Sequence, residues 1–372
     1  MPCLRPPWSC ARARGKENGG RGDKRVCRGD EKNASQRFEG GEQIMFGKWR
    51  EIREKGYIIP WKMFKIFIRT VPALLKALIK HPVMIIKANR AAKKYLKNME
   101  SPELPYKIPE YKEGMPYNKS NERYLRPTHF CEVDAPEIIA LANELGAFKK
   151  SDREYAEAVF EFVKNNIKLS FVGLDGAVAT LKRGSGTCLH QLSLFAALCR
   201  AGGLPARYRL YSLALVESMY DSMVGASPVL KDWYDAFGTF MLHGTAEVLI
   251  DGEWVTADPT FTPEYEIAMG VPLAKLGDDP TGMWNYPVEG TMMVLEGLPY
   301  GAGAVWNLLV NWIAKGEVLK INMSIEEGRK AGRKMLEKIK EEDYYDINVR
   351  KSYKAKMPKV TLERSPQLVF EA

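Results

Sequence analysis

Three residues in the middle of the chain, Cys188, His243 and Asp258, have the types and settings that nucleophilic thiol chemistry needs. Cys188 follows the turn Arg183-Gly-Ser-Gly-Thr187 and precedes a run apolar at Leu192, Leu194, Phe195, Ala196, Leu198 and Cys199, which Gly202 and Gly203 end. The pattern predicts a helix from Leu189 to Arg200 with Cys188 at its start, where the positive end of the macrodipole favours thiolate over thiol. Phe240 to Ile250 and Trp254 to Ala257 alternate as strands around Asp251-Gly252, a hairpin signal. His243 stands near the start of the first strand and Asp258 at the end of the second, so the hairpin brings them to one end on adjacent strands. A carboxylate there can orient an imidazole, which in turn can take a proton from the thiol.

The other candidates read as framework. Cys131 and Cys199 stand in apolar settings, as inert buried thiols do, and His81, His129 and His190 read as structural histidines. His190 lies two residues beyond Cys188, about 200° around the helix. Glu247 and Trp254 belong to the framework, and Asp258, before Pro259, has capping a turn as its alternative role. No CxxC occurs and the histidines never fall in a zinc spacing, so neither a metal nor a cofactor is expected. Cys3, Cys10 and Cys27 complete the six cysteines; so few in 372 residues argue against a disulfide scaffold and for a reducing, cytoplasmic setting.

Ser151-Asp-Arg-Glu154 is a capping box, followed by Ala156, Val159, Phe160, Val163 and Ile167 at helical spacing, with an end near Asn165-Asn166. Pro205 to Leu213 alternates as a strand, and the 29 residues between Leu213 and His243 suit a lid over a cleft. From Thr260 to about Leu298 the sequence reads as irregular. Residues 297–314 are uncharged, but their glycines, Pro299, Asn307 and Asn311 predict a short packed or interfacial helix rather than a span. Ser324 to Glu342 predicts a charged helix capped by Ser324 and Glu327.

The helix from Ser151, Gly-Ser-Gly-Thr-Cys188, Leu198-Cys-Arg-Ala-Gly-Gly-Leu-Pro-Ala-Arg-Tyr208, His243 with Glu247, and Asp251-Gly-Glu-Trp-Val-Thr-Ala-Asp258-Pro together resemble the transglutaminase-like superfamily over about 135 residues. The resemblance implies an α+β, papain-like core in which the nucleophile helix packs on an antiparallel sheet. It also implies Cys188 as nucleophile, His243 as general base then acid, Asp258 as orienting carboxylate, and a thioester intermediate. Two positions depart from the family. Gly244-Thr245 follow the histidine where an aromatic pair is usual, implying an altered substrate wall, and Ser193 stands where alanine is usual.

Charge divides the chain. Residues 1–44 carry 10 basic and 6 acidic side chains, 45–100 carry 14 and 3, and 101–372 carry 31 and 37, so the net charge of +9 belongs to the N-terminal part. Residues 1–44 lack apolar periodicity and are expected to be disordered, with native translation starting at Met45 after Glu39-Gly-Gly-Glu42. From Trp61, basic residues at 62, 65, 69, 76, 80, 87, 90, 94 and 97 line one helix face, opposite apolar residues such as Phe64, Phe67, Leu75 and Ile86. Pro72 and Pro82 are expected to kink or divide it. This face suits peripheral attachment to an anionic membrane or docking to a partner; packing on the protein's own core is the alternative.

The expected organisation is therefore 1–44 disordered, 45–100 basic amphipathic helices, 101–129 a proline-rich linker, 130–265 the transglutaminase-like core, and 266–372 a C-terminal extension with helices. The expected function is cleavage or transfer of a peptide or amide acyl group by a cysteine hydrolase rather than a cross-linker, acting on a protein or peptide. No specific nucleic acid is expected. The alternative is a catalytically silent fold that binds a membrane surface or a partner.

Overall fold

The computed structural model describes residues 49–98, 103–339 and 342–365; the expectations for residues 1–44 and a start at Met45 lie outside them. Helices α1 (Trp61–Lys80) and α2 (Pro82–Lys97) form the basic segment. Pro82 divides them by sitting at the first turn of α2, where its missing N–H costs nothing, whereas Pro72 lies within α1. The sequence suggests two faces on α1; the structure has three. Met63, Ile66, Thr70, Ala77 and Leu78 are buried, whereas Trp61, Phe64, Ile68, Leu75 and Ile79 form an exposed apolar stripe. Lys62, Lys65, Arg69, Lys76 and Lys80 follow that stripe one residue on, about 100° further round.

Residues 103–127 contain neither helix nor strand, but the backbone is tied down: Asn118 N–H donates to Ala201 O at 2.8 Å and Tyr106 Oη to Leu181 O at 2.5 Å. Next come α3 (Pro136–Leu145) and α4 (Asp152–Asn166), the latter with both halves of its Ser151–Glu154 capping box. Strands β1 (Lys168–Leu169) and β2 (Ser185–Gly186) pair in parallel on either side of α5 (Ala177–Arg183) and deliver the chain to α6 (Cys188–Ala201). Every residue of α6 from His190 to Ala201 is buried: most are apolar, and the polar ones, His190, Gln191, Ser193 and Arg200, are hydrogen-bonded inside the protein. The helix packs against α3, α4, α5 and the sheet. At its C-terminal end the buried Arg200 guanidinium donates to the carbonyls of Arg126, Ala206 and Glu296 at 2.6–3.1 Å.

The sheet is antiparallel. Strand β3 (Ala206–Leu215) is followed by a helical stretch over 217–224 and by α7 (Pro228–Asp235), which packs on α1. Strands β4 (Phe240–Ile250) and β5 (Glu253–Ala257) form the expected hairpin. Asp251 and Gly252 both have positive φ, 52° and 85°, as a tight two-residue turn requires. The strand order is β5-β4-β3-β6, with β7 also paired to β3.

Strands β6 (Asn285–Pro287) and β7 (Met293–Leu295), with α8 (Pro263–Met269), replace the irregular stretch expected from Thr260 to Leu298. Three-residue strands are too short to show alternation. Residues 297–314 form α9 (Tyr300–Leu308) and a π-helical turn, Leu309–Ile313, before α10 (Lys315–Ile339), α11 (Glu342–Ser352) and α12 (Lys359–Arg364). Ser324 is therefore not a cap. Helix α10 starts nine residues earlier, where Gly316 N–H donates to Asn89 Oδ1 at 2.7 Å, and the Ser324 hydroxyl donates to Ser222 O. Among the described residues no helix is long and apolar enough to cross a membrane.

Candidate active site

Cys188 is the first residue of α6, with Thr187 as N-cap, and it is partly exposed. His190 completes the cap from the third helical position. Its Nδ1 accepts the Thr187 N–H at 3.0 Å, which assigns the proton to Nε2, and Nε2–H faces Gly173 O at 3.0 Å. His190 thus takes the place of the usual Glu or Gln of a capping box and fixes the turn that presents Cys188. Gln191, one turn along α6, donates to Ile167 O at 2.6 Å and to Thr260 O at 3.0 Å, tying the helix to the loop after β5.

That loop carries Asp258. Because Ala246 pairs with Ala257 across the hairpin, Asp258 follows directly beside the stretch of β4 that bears His243. His243 Nε2 and Asp258 Oδ2 are 3.1 Å apart and both side chains are buried. The Thr260 hydroxyl and N–H donate to Asp258 Oδ1 at 2.5 and 3.3 Å, which holds the carboxylate in place. Burial pulls the His243 pKa down, but the nearby Cys188 sulfur and the Asp258 carboxylate outweigh it through charge and hydrogen bonding, and the ring is held up at about 10. With Nε2 engaged by Asp258, Nδ1 is the nitrogen left for Cys188. Trp284 and Tyr211 stand edge-on to the imidazole, at centroid distances of 4.8 and 5.4 Å, and restrict its tilt. The structure therefore brings Cys188, His243 and Asp258 together.

Sequence reasoning did not find Trp284, Tyr211, Gln191 and Thr260 as supports. Gln191 carried a signal, three residues after the cysteine on the same helix, and so did Thr260, two after the aspartate. Trp284 carried none, standing in the stretch read as irregular. Gly244 corrects an expectation. A Cβ there would meet side-chain carbons of Leu192, Leu210 and Leu189 at 2.3–2.8 Å, so its smallness admits α6 against β4 and does not shape a substrate wall. Ser193 is buried in α6 and donates back to Leu189 O at 2.8 Å. Glu247 accepts from Arg207, whose guanidinium lies 3.8 Å from the Trp254 ring centroid, a framework cluster.

Two cavities meet at Cys188. One of about 130 Å³ is lined by aromatic and aliphatic side chains from α1, α7, β4, α9 and α10; the other, of about 60 Å³, reaches His243 and Trp284. Among the described residues, no group of three or more His, Cys, Asp or Glu side chains could hold a metal ion, and Cys131, Cys188 and Cys199 are free thiols.

Residues 139–259 match the transglutaminase-like superfamily and carry its domain. Among solved structures, a candidate cysteine protease from Cytophaga hutchinsonii aligns at 21% identity and a TM-score of 0.28, covering 46% of this chain. The alignment spans 50% of that protein's length. No curated protein matches the chain.

Proposed function

We propose that this chain is a thiol acyl hydrolase in which Cys188 attacks, His243 moves the proton and Asp258 orients His243. The observation that carries the reading is the buried 3.1 Å contact between His243 and Asp258, with Cys188 at the helix start beside the same imidazole. A cationic ring and a helix N-terminus both favour the sulfur anion. The sulfur adds to the carbonyl carbon of an amide or ester, forming a C–S bond. The Cys188 backbone N–H, at the first turn of α6, is a donor for the resulting oxyanion. The C–N or C–O bond then breaks and His243 supplies the leaving group's proton. Water adds to the thioester, gives its proton back to His243, and the C–S bond breaks to release the acid. The narrow cavity at His243 supports water as acceptor rather than a protein amine.

The exposed apolar stripe of α1, flanked by its basic stripe, supports docking on an anionic lipid surface. All ten Lys and Arg of residues 61–97 are exposed and no acidic residue lies among them. Because the inner face of α1 is core, the test uses point changes: Trp61→Ser with Phe64→Ser and Ile68→Ser abolishes co-sedimentation with phosphatidylglycerol vesicles. Equal pelleting of this variant and the wild type refutes docking.

For the chemistry, mixing the full chain with p-nitrophenyl acetate gives a burst of nitrophenolate and an acetyl adduct at Cys188 by mass spectrometry. Equal turnover by Cys188→Ala overturns the proposal.

A further inference from the structure

The larger cavity at Cys188 is lined in part by elements outside the superfamily match. Phe67 and Leu74 come from α1, and Ala302, Val305, Trp306 and Val310 from α9 and the π-turn after it. Among the described residues no charged side chain lines it. The two indoles on its wall have their N–H groups engaged elsewhere: Trp306 Nε1 donates to Val172 O at 2.8 Å and Trp233 Nε1 to Thr70 O at 3.2 Å. What these residues present to the cavity is hydrocarbon and ring surface. A peptide threaded there would bring an N–H and a C=O at every residue, each costly to bury without a partner. An alkyl chain brings none and gains from each methylene removed from water.

We infer that this cavity holds the hydrocarbon chain of the acyl group transferred to Cys188, so that the substrate is a medium-chain acyl amide or ester rather than a peptide. The inference rests on the reading of Cys188 as nucleophile and adds the identity of the acyl group. The volume of about 130 Å³ is close to that of an apolar cavity that accepts benzene, which corresponds to roughly six carbons. Val305 lines the cavity and is also 37% exposed, and Leu308 and Trp312 of the same helical segment are exposed apolar side chains. The carbonyl carbon lies at the Cys188 sulfur, the chain extends into the larger cavity, and the leaving group occupies the side facing His243.

The test is kcat/KM for p-nitrophenyl esters from acetate to dodecanoate. Each added methylene raises it by up to about fourfold until the cavity fills, so hexanoate exceeds acetate by at least about tenfold and longer chains level off. Ala302→Phe or Val310→Trp, which fill the cavity, bring the hexanoate-to-acetate ratio towards one. Labelling of wild-type Cys188 needs no variant to fold. N-hexylmaleimide outpaces N-ethylmaleimide at Cys188 by about tenfold more than it does at glutathione. Acetylation of Cys188 with no gain from chain length in either assay overturns this inference alone. Failure of every ester to form an acyl-enzyme overturns the reading beneath it as well.

Discussion

Replacing Gly244 by alanine pushes a methyl group into the seam between β4 and the helix that carries Cys188. The added carbon lies 2.3 Å from Leu192 Cδ2, 2.7 Å from Leu210 Cδ2 and 2.8 Å from Leu189 Cδ2. Carbon atoms rest about 3.5–4.0 Å apart, so each leucine must retreat by about 1 Å or α6 must lift. Leu192 and Leu210 are fully surrounded by core, which leaves them little room to turn, while Leu189 borders the cavity at Cys188 and can swing into it. Overpacking of this kind costs about 1–3 kcal/mol. Urea denaturation of Gly244→Ala should show a lower midpoint at unchanged slope, and acetylation of Cys188 should slow because Leu189 is its neighbour. Leu192→Ala alone costs about 2–5 kcal/mol through the space it leaves. Combined with Gly244→Ala, the two costs should fall short of their sum by at least about 1 kcal/mol, since each relieves the other. A Gly244→Ala protein within about 0.5 kcal/mol of wild type, or strictly additive costs, would refute the close approach of α6 to β4.

Asp258→Asn removes the charge on His243 Nε2 and should slow acetylation of Cys188 by about 10–150-fold, the worth of a buried charged hydrogen bond; an unchanged rate in stopped flow would deny Asp258 its orienting role. His243 sits up at about 10 against 6.5 for an exposed ring, so its stabilising contribution is complete below about pH 6.5 and is lost as pH rises towards 10. Since Cys188 helps hold it up, Cys188→Ser should lose that contribution at lower pH, and thermal melts that run parallel across this range would contradict the coupling. Lys164 of α4 and Glu266 of α8 form a buried pair at 2.8 Å, and burial pushes the Glu266 carboxyl up to about 7 despite the lysine. Lys164→Met leaves that carboxyl without its cation and should cost about 3–5 kcal/mol by urea denaturation; a midpoint unmoved would show the pair to be dispensable.

Much of this arrangement was legible in the sequence where its cause is local. The Ser151–Glu154 box starts α4, the glycine-rich turn starts α6, and Asp251-Gly252 closes the hairpin; each follows from backbone preferences within a few residues. What the sequence concealed depends on distant partners. Ser324 and Glu327 have the spacing of a cap, but Asn89 starts α10 nine residues earlier. Strands β6 and β7 exist because β3 offers them backbone partners, and Trp284 reaches His243 only through that pairing. Gly244 looked like a change in the substrate wall because the sequence does not tell which side of β4 meets α6. The cavity at Cys188 draws its lining from residues 67 to 321, a span that no window along the chain covers.

Activation of Cys188 by His243, itself oriented by Asp258, is tested by the alkylation of Cys188 against pH. Iodoacetamide labelling of the full chain, read by mass spectrometry with buried Cys131 and Cys199 as internal controls, is compared with and without His243→Ala. Cys188 is expected to react below about pH 7, and this reactivity disappears in the variant. A Cys188 that titrates near ~8.5 like a free thiol, with the same profile in both proteins, would contradict this activation.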